Sequence, residues 1–294
     1  MTTGEANRMK SKPQAHVASK GENRAMTPDN RPLVIERFRA ACEDDAHVVA
    51  AFIGGSFAAG TADAYSDLDL YLITSDEGYE DFFARRASFM HQLEEPVLAE
   101  DFDGFGFDMI LFIFEDGSKG ELALAQASGF SHIHHGPYRV LVDKQKLLDG
   151  VTFRLEQASV TEQRDRLIEH LKFFWRDFLV MSQALGRGNL LSASLYLEGV
   201  RHRLISVCRL SVNFRDEGDH PKPEAVLPSH LQERLVAAFP PLERAAMVRG
   251  AQQMARLFQE VARPLAAQQQ VVYPDALERV VLAWFSDVFA ECDR

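Results

Sequence analysis

The stretch GGSFAAGTADAYSDLDL, residues 54–70, links two apolar segments through a glycine-rich turn and ends in a pair of aspartates. The run Val48 to Ile53 before it predicts a buried strand, and a second strand is predicted over about Leu68 to Thr74. Side chains two residues apart on a strand project from one face, so Asp67 and Asp69 should converge while the intervening leucines face the core. The stretch therefore predicts a strand, a tight turn, a short helix and a second strand.

The turn between the two strands has the composition of a phosphate-binding loop. A strand that ends in two glycines and enters a short helix leaves unpaired backbone amides facing outward at Gly55 and Ser56. Glycine permits close approach of a ligand, because a Cβ atom would block it. The Ser56 hydroxyl adds a further group that can bind phosphate oxygens.

The acidic residues predict a site for a divalent cation. Two neighbouring carboxylates repel each other unless a cation lies between them, and hard oxygen ligands favour Mg²⁺ over zinc. A third acid is expected from a neighbouring strand, and Glu121 in the segment GELALA is the best candidate. It alternates with small alanines on one face of its strand, which leaves room for a substrate.

The segments around this stretch predict a mixed sheet with helices. A helix is predicted to begin at Arg31, and further strands over about Phe107 to Phe114, Gly120 to Ala125 and Tyr138 to Val142. The turn Asp116-Gly117-Ser118 should join the first two of these as a hairpin.

After Gly150 the apolar residues recur every three or four positions, which is typical of helices. One helix should end near Gly186, a second should run from about Asn189 to Val212, and the last should begin at Pro274. The fold class is therefore α+β, with a disordered tail at 1–30, an α+β domain at 31–150 and a helical bundle at 151–294.

Composition excludes several classes of protein. The chain has 294 residues with 32 basic and 43 acidic side chains, a net charge of −11 that disfavours extended nucleic-acid binding. Its longest apolar runs, of which Met109 to Phe114 is one, are far shorter than the ~20 residues of a membrane helix. The cysteines Cys42, Cys208 and Cys292 lack metal-ligand spacing and suit reduced thiols in the cytoplasm.

The motif of residues 54–70 resembles the signature of the polymerase-β-type nucleotidyltransferase superfamily. Within it, the chain is similar to antibiotic nucleotidyltransferases that act on lincosamides or aminoglycosides, and most of all to the lincosamide enzymes. The likeness extends to GSKGELALA, HGPYRVLVDKQKLL, the two helices within 172–204 and the closing YPDALERVV, and it covers most of residues 33–290.

The resemblance implies that Gly55 and Ser56 hold a triphosphate, Asp67 and Asp69 bind Mg²⁺, and Glu121 completes the site as metal ligand or general base. The expected activity is adenylyltransferase-like: a nucleoside monophosphate moves from ATP or another nucleoside triphosphate to a hydroxyl of a small molecule, in a cytoplasmic protein. The helical bundle would help to enclose this acceptor, and relatives of this kind suggest a homodimer.

Two residues of the second bundle helix, Glu198 and Arg201, are candidate acceptor contacts. Two other functions stay open. One is a non-catalytic nucleotide- or protein-binding module of the antitoxin kind, against which the intact acids argue. The other is a nucleotidyltransferase that acts on protein or RNA.

Two patterns that contain histidines are predicted to be surface residues without a catalytic or metal-binding role. The run His132-Ile133-His134-His135 is predicted to be a surface loop rather than a zinc site, because it lacks a nearby cysteine or acid. The pair Arg164 and His170 matches the spacing of nuclease-like helical toxins, but solvated residues on a charged helix explain it more simply.

Overall fold

The computed structural model describes residues 29–154, 158–215 and 222–290, and the chain divides into two compact units, Met1–Leu155 and Glu156–Arg294. Of the tail predicted at 1–30, positions 1–28 lie outside the described residues, and Asp29 and Asn30 are described. Asp29 forms an ion pair with Arg31 at 2.7 Å, and the Asn30 amide donates a hydrogen bond to the Glu94 carboxylate.

A six-stranded mixed sheet forms the centre of the first unit, as the sequence predicted. Its strands lie in the order β3-β4-β5-β2-β1-β6, and β2 pairs with β5 in parallel whereas the other neighbours are antiparallel. The strands are β1 (Val48–Ile53), β2 (Leu68–Thr74), β3 (Pro96–Phe102), β4 (Met109–Phe114), β5 (Lys119–Gln126) and β6 (Arg139–Asp143).

Four described α-helices of the first unit precede or connect the strands of the sheet. They are α1 (Arg31–Asp44), α2 (Gly55–Ala59), α3 (Tyr79–Ala84) and α4 (Arg86–Leu93). Apolar side chains of α1 and α4 share one core with the leucines of β2 and β5. The opposite face of the sheet carries a second core around Phe52, Tyr71 and Phe153. The alternation of β2 thus separates its leucines from the face on which Asp69 lies.

The second unit is helical, as the 3.6-residue periodicity predicted. Its helices are α5 (Val160–Gly186), α6 (Leu190–Val212), α7 (Pro223–Val226), α8 (Ser229–Ala237), α9 (Arg244–Gln268) and α10 (Asp275–Phe289). The α5 stripe packs into the core, where the rings of Phe174 and Phe258 stack and Trp175 is fully buried. Ser159 and Glu162 form a capping box that fixes where α5 begins. Across the described ranges, no helix is both long and apolar enough to cross a bilayer.

The prediction of surface positions is wrong for two histidines. His134 is only 6% exposed, because it packs among the aromatic rings of the second core. His170 is half-buried between α5 and α6, where its Nδ1 lies 3.3 Å from Arg203 Nη1. Burial, together with the nearby charge of Arg203, lowers the pKa of His170 to about 4. In both cases the burial comes from contacts with residues distant in the chain, which the local sequence pattern does not reveal.

Candidate active site

The parallel pairing of β2 with β5 brings two acidic residues side by side. Asp69 lies directly opposite Glu121 in the strand register, on the face of the sheet that carries Tyr71 and Ala123. Asp67 precedes the first residue of β2, so it lies at the same edge of the sheet. The acids that the sequence singled out in two distant segments therefore meet at the beginnings of two neighbouring strands.

The glycine turn after β1 lies against the second aspartate. Gly54 donates its backbone N–H to the carbonyl oxygen of Asp69 at 2.9 Å. Gly55 has a φ of +54°, and a Cβ atom there would overlap the Asp69 carboxylate. Ser56 follows in the first turn of α2 and is half-buried. Only glycine combines this backbone conformation with such close approach to a carboxylate.

The three carboxylates influence one another electrostatically. Burial raises the pKa of Asp69, and the negative charge of Asp67 adds to that rise. Burial also raises the pKa of Glu121, with further contributions from Asp69 and then Asp67. The charge of Asp67 thus makes ionisation of Asp69 and of Glu121 more costly, and a bound cation would relieve that cost.

Lys119 already supplies a positive charge at this edge. Its Nζ lies 3.0 Å from Oδ2 of Asp67, in an ion pair whose side chains are 61% and 44% exposed, respectively. Both residues border an open cavity of about 750 Å³, which Arg31, Phe57 and Tyr65 also line. Of the three acids, Asp67 therefore borders a space of the size that ligand pockets commonly have.

The donor set fits magnesium held jointly with a nucleotide. Among the residues that the structure describes, no three His, Cys, Asp or Glu side chains are grouped so that they alone could hold a metal ion. Magnesium, however, is commonly bound through one or two carboxylates, with phosphate oxygens and water completing its coordination. Asp67 and Asp69 supply two hard oxygen donors of that kind, beside the turn formed by Gly55 and Ser56.

A buried histidine supports the glycine turn. A Cβ atom on Gly54 would come within 2.7 Å of Cε1 of His134, so the imidazole lies directly against the turn. The Nε2 atom of His134 is 3.2 Å from the carbonyl oxygen of Pro137. Burial lowers the pKa of this histidine, because it penalises the charged imidazolium. The neutral imidazole thus packs against Gly54 at the start of the turn.

The two candidate acceptor contacts lie on α6 in the second unit. Glu198 and Arg201 form an ion pair with each other, and the Arg201 guanidinium lies 4.5 Å from the centre of the Phe239 ring. Arg201 is largely buried, with a side chain 17% exposed, whereas that of Glu198 is 63% exposed. An acceptor role for the pair stays a prediction.

Sequence reasoning missed Lys119 and the aromatic lining of the cavity. Lys119 stands two residues before Glu121, and Asp67 stands two residues before Asp69, so the same alternation that relates the acids would have placed Lys119 opposite Asp67. Phe57 lies in the short helix α2 and Tyr65 in the loop that follows it, and neither segment is long enough for periodicity to carry a signal.

Comparison with known proteins identifies the family. The family model described as streptomycin adenylyltransferase matches residues 32–288. No significant match is found among curated proteins. An aminoglycoside 6-adenyltransferase from Bacillus subtilis is 12% identical, with 87% of this chain and 97% of that chain covered and a TM-score of 0.42. A nucleotidyltransferase-like protein from Exiguobacterium sibiricum is 13% identical, with 89% and 90% covered and a TM-score of 0.33.

The match to the family model spans both units of the chain, and it agrees with the superfamily that the motif predicted. The likeness to lincosamide enzymes in particular stays a prediction. Both structural matches cover most of the chain but have low TM-scores, so the assignment rests on the family model. The chain belongs to the streptomycin adenylyltransferase family and is a nucleotidyltransferase.

Proposed function

We propose that the protein transfers AMP from ATP, in a magnesium-dependent reaction, to a hydroxyl of an aminoglycoside antibiotic. The observation that carries the proposal is the pairing of Asp69 with Glu121 across two parallel strands, beside the turn at Gly55. Nucleotidyl transfer needs phosphate-binding groups, acids for a metal ion and a base within one small region. These residues supply all three.

Each residue has a proposed part in the reaction. Gly55 and Ser56 bind triphosphate oxygens, while Asp67 and Asp69 hold Mg²⁺. Held there, Mg²⁺ would supply positive charge against the charge that develops on the phosphate oxygens. The acceptor oxygen forms a bond to the α-phosphorus, the bond from that phosphorus to pyrophosphate breaks, and the acceptor proton moves to the Glu121 carboxylate. Burial raises the pKa of Glu121, and this supports the base role, because a more basic carboxylate accepts a proton more readily.

The family supports an aminoglycoside as the acceptor more than a lincosamide, because its model is named for streptomycin adenylylation. The net charge of −11 also favours a cationic acceptor and disfavours RNA. Glu198 and Arg201 remain the proposed acceptor contacts, with the exposed Glu198 carboxylate suited to an ammonium group. A cytoplasmic location is proposed from the cysteines, which suit reduced thiols, and a homodimer from the resemblance to antibiotic nucleotidyltransferases.

A mass measurement tests donor and acceptor together. Purified protein would be incubated with Mg²⁺, each of ATP, GTP, CTP and UTP, and a panel containing streptomycin, other aminoglycosides and a lincosamide. The expected product is an aminoglycoside heavier by one AMP group. Asp67→Asn and Asp69→Asn should give no product, whereas Asp149→Asn, the same change at an exposed position, should react normally. A product only with a lincosamide would overturn the acceptor, and no product with any pair would overturn the function.

A further inference from the structure

The ion pair between Lys119 and Asp67 lies at the end of the β2–β5 pairing that aligns Asp69 with Glu121. The register pairs Leu68 with Gly120 and Asp69 with Glu121, so Lys119 occupies the position next to Gly120 at the beginning of β5. Lys119 and Glu121 are two residues apart and share one face of that strand. The lysine is thus fixed by the backbone beside the residue that is proposed to hold the metal ion.

The pair is placed to exchange partners. Both side chains are substantially exposed, and ion pairs of this kind contribute only about 0.2–1 kcal/mol in double-mutant measurements. A lysine side chain is long and flexible, so its ammonium can leave one anion for another within a few ångströms. Both residues border the cavity of about 750 Å³, which Phe57, the residue after Ser56, also lines.

A divalent cation on Asp67 would compete directly with the Lys119 ammonium, because the two positive charges would share one carboxylate. The phosphates that accompany the cation would at the same time offer the lysine another anionic partner. Hydrogen bonds from an ammonium to phosphate are charge-assisted, like the one to Asp67.

We propose that Lys119 is an exchangeable counter-ion: it holds Asp67 in the ligand-free protein and moves to the pyrophosphate portion of the triphosphate when the metal-bound nucleotide arrives. This inference rests on the proposed function. Lys119 is a binding residue with two successive partners, and its removal should affect the metal ion and the phosphates in opposite directions.

The test compares Lys119→Met with Lys146→Met. Lys146 is an exposed lysine in the same unit, so its replacement changes the net charge equally without touching the acids. Affinity for Mn²⁺ alone would be measured by electron paramagnetic resonance, and affinities for pyrophosphate and AMP by calorimetry with saturating Mg²⁺. Lys119→Arg keeps the charge and should retain most of the wild-type behaviour, and circular dichroism would verify that each variant is folded.

For Lys119→Met we expect Mn²⁺ to bind about two- to five-fold more tightly, in line with the strength of an exposed ion pair. Pyrophosphate should bind about ten-fold or more weakly, and AMP should change by less than about two-fold. Lys146→Met should leave all three affinities unchanged. Unchanged or weaker Mn²⁺ binding, or equal losses for pyrophosphate and AMP, would overturn the inference. Wild-type protein that binds neither Mn²⁺ nor pyrophosphate would overturn the proposed function itself.

Discussion

Among single residues, Gly55 determines how closely the glycine turn after β1 approaches the acids. Residues with a Cβ atom disfavour its positive φ, and their Cβ atom would overlap the Asp69 carboxylate. Asp69 is in turn shifted towards its protonated form by burial and by Asp67. The site therefore combines crowding with unfavourable charge, a combination expected where binding of a cation is needed for function.

The variant Gly55→Ala should lose nearly all transfer activity, because the new methyl group would displace the Asp69 carboxylate. It should also lose about 1–2 kcal/mol of stability through its positive φ. Gly150→Ala provides the matched control: its φ is +73°, and its added Cβ would meet nothing within 4 Å. Urea unfolding and kcat/KM would be measured for both. Full activity in Gly55→Ala, or equal loss of activity in the control, would remove the argument for this contact.

Among the secondary-structure elements, the parallel pair β2 and β5 positions the site. Gly120 lies opposite Leu68 at the start of that pairing, and a Cβ atom there would overlap the Leu68 carbonyl oxygen. The close approach of the two strands, and with it the alignment of Asp69 with Glu121, depends on that glycine. Sheet register thus translates directly into the spacing of the acids.

Gly120→Ala should therefore reduce both stability and kcat/KM, because the strands must separate or shift to admit the methyl group. We expect a loss of about 1–3 kcal/mol, as for other overpacked sites. Gly129→Ala, at a position where an added Cβ meets nothing within 4 Å, serves as the control. Urea unfolding would measure the loss of stability. A fully stable and fully active Gly120→Ala variant would show that the register tolerates the change.

Elements with clear periodicity were predictable from sequence, and elements without it were not. The buried run of β1 and the apolar stripes of α5, α6 and α10 were predicted where they lie, whereas α9 was predicted only as part of a helical region. The strand β3 was not predicted, because six of its seven residues are exposed and its sequence PVLAEDF carries no apolar alternation. The burial of His134 likewise depends on rings brought together from Phe52, Tyr71 and Phe153, which are far apart in the chain.

Over the whole molecule, the net charge of −11 should guide a cationic acceptor towards the protein. We predict that KM for an aminoglycoside increases as the salt concentration rises from about 0.05 to about 0.5 M, because mobile ions screen such attraction over a few ångströms. KM for the nucleotide, measured in the same series, separates acceptor attraction from effects of salt on nucleotide binding. An acceptor KM that is independent of salt, or that falls, would contradict a steering role for the net charge.

Turnover of Glu121→Gln across a magnesium titration and a pH series tests the central claim most directly. Glutamine keeps the shape of the side chain but cannot accept the proton, so the rate should fall about 10²- to 10⁴-fold while nucleotide binding persists. A base must be deprotonated to act, so the wild-type pH-rate profile should have an acidic limb on which Glu121 becomes protonated, and burial, which raises the pKa of Glu121, moves that limb to higher pH. The variant should lack that limb, and magnesium should not restore its rate. Recovery with excess magnesium would contradict the base role, and unchanged turnover under all conditions would contradict the site itself.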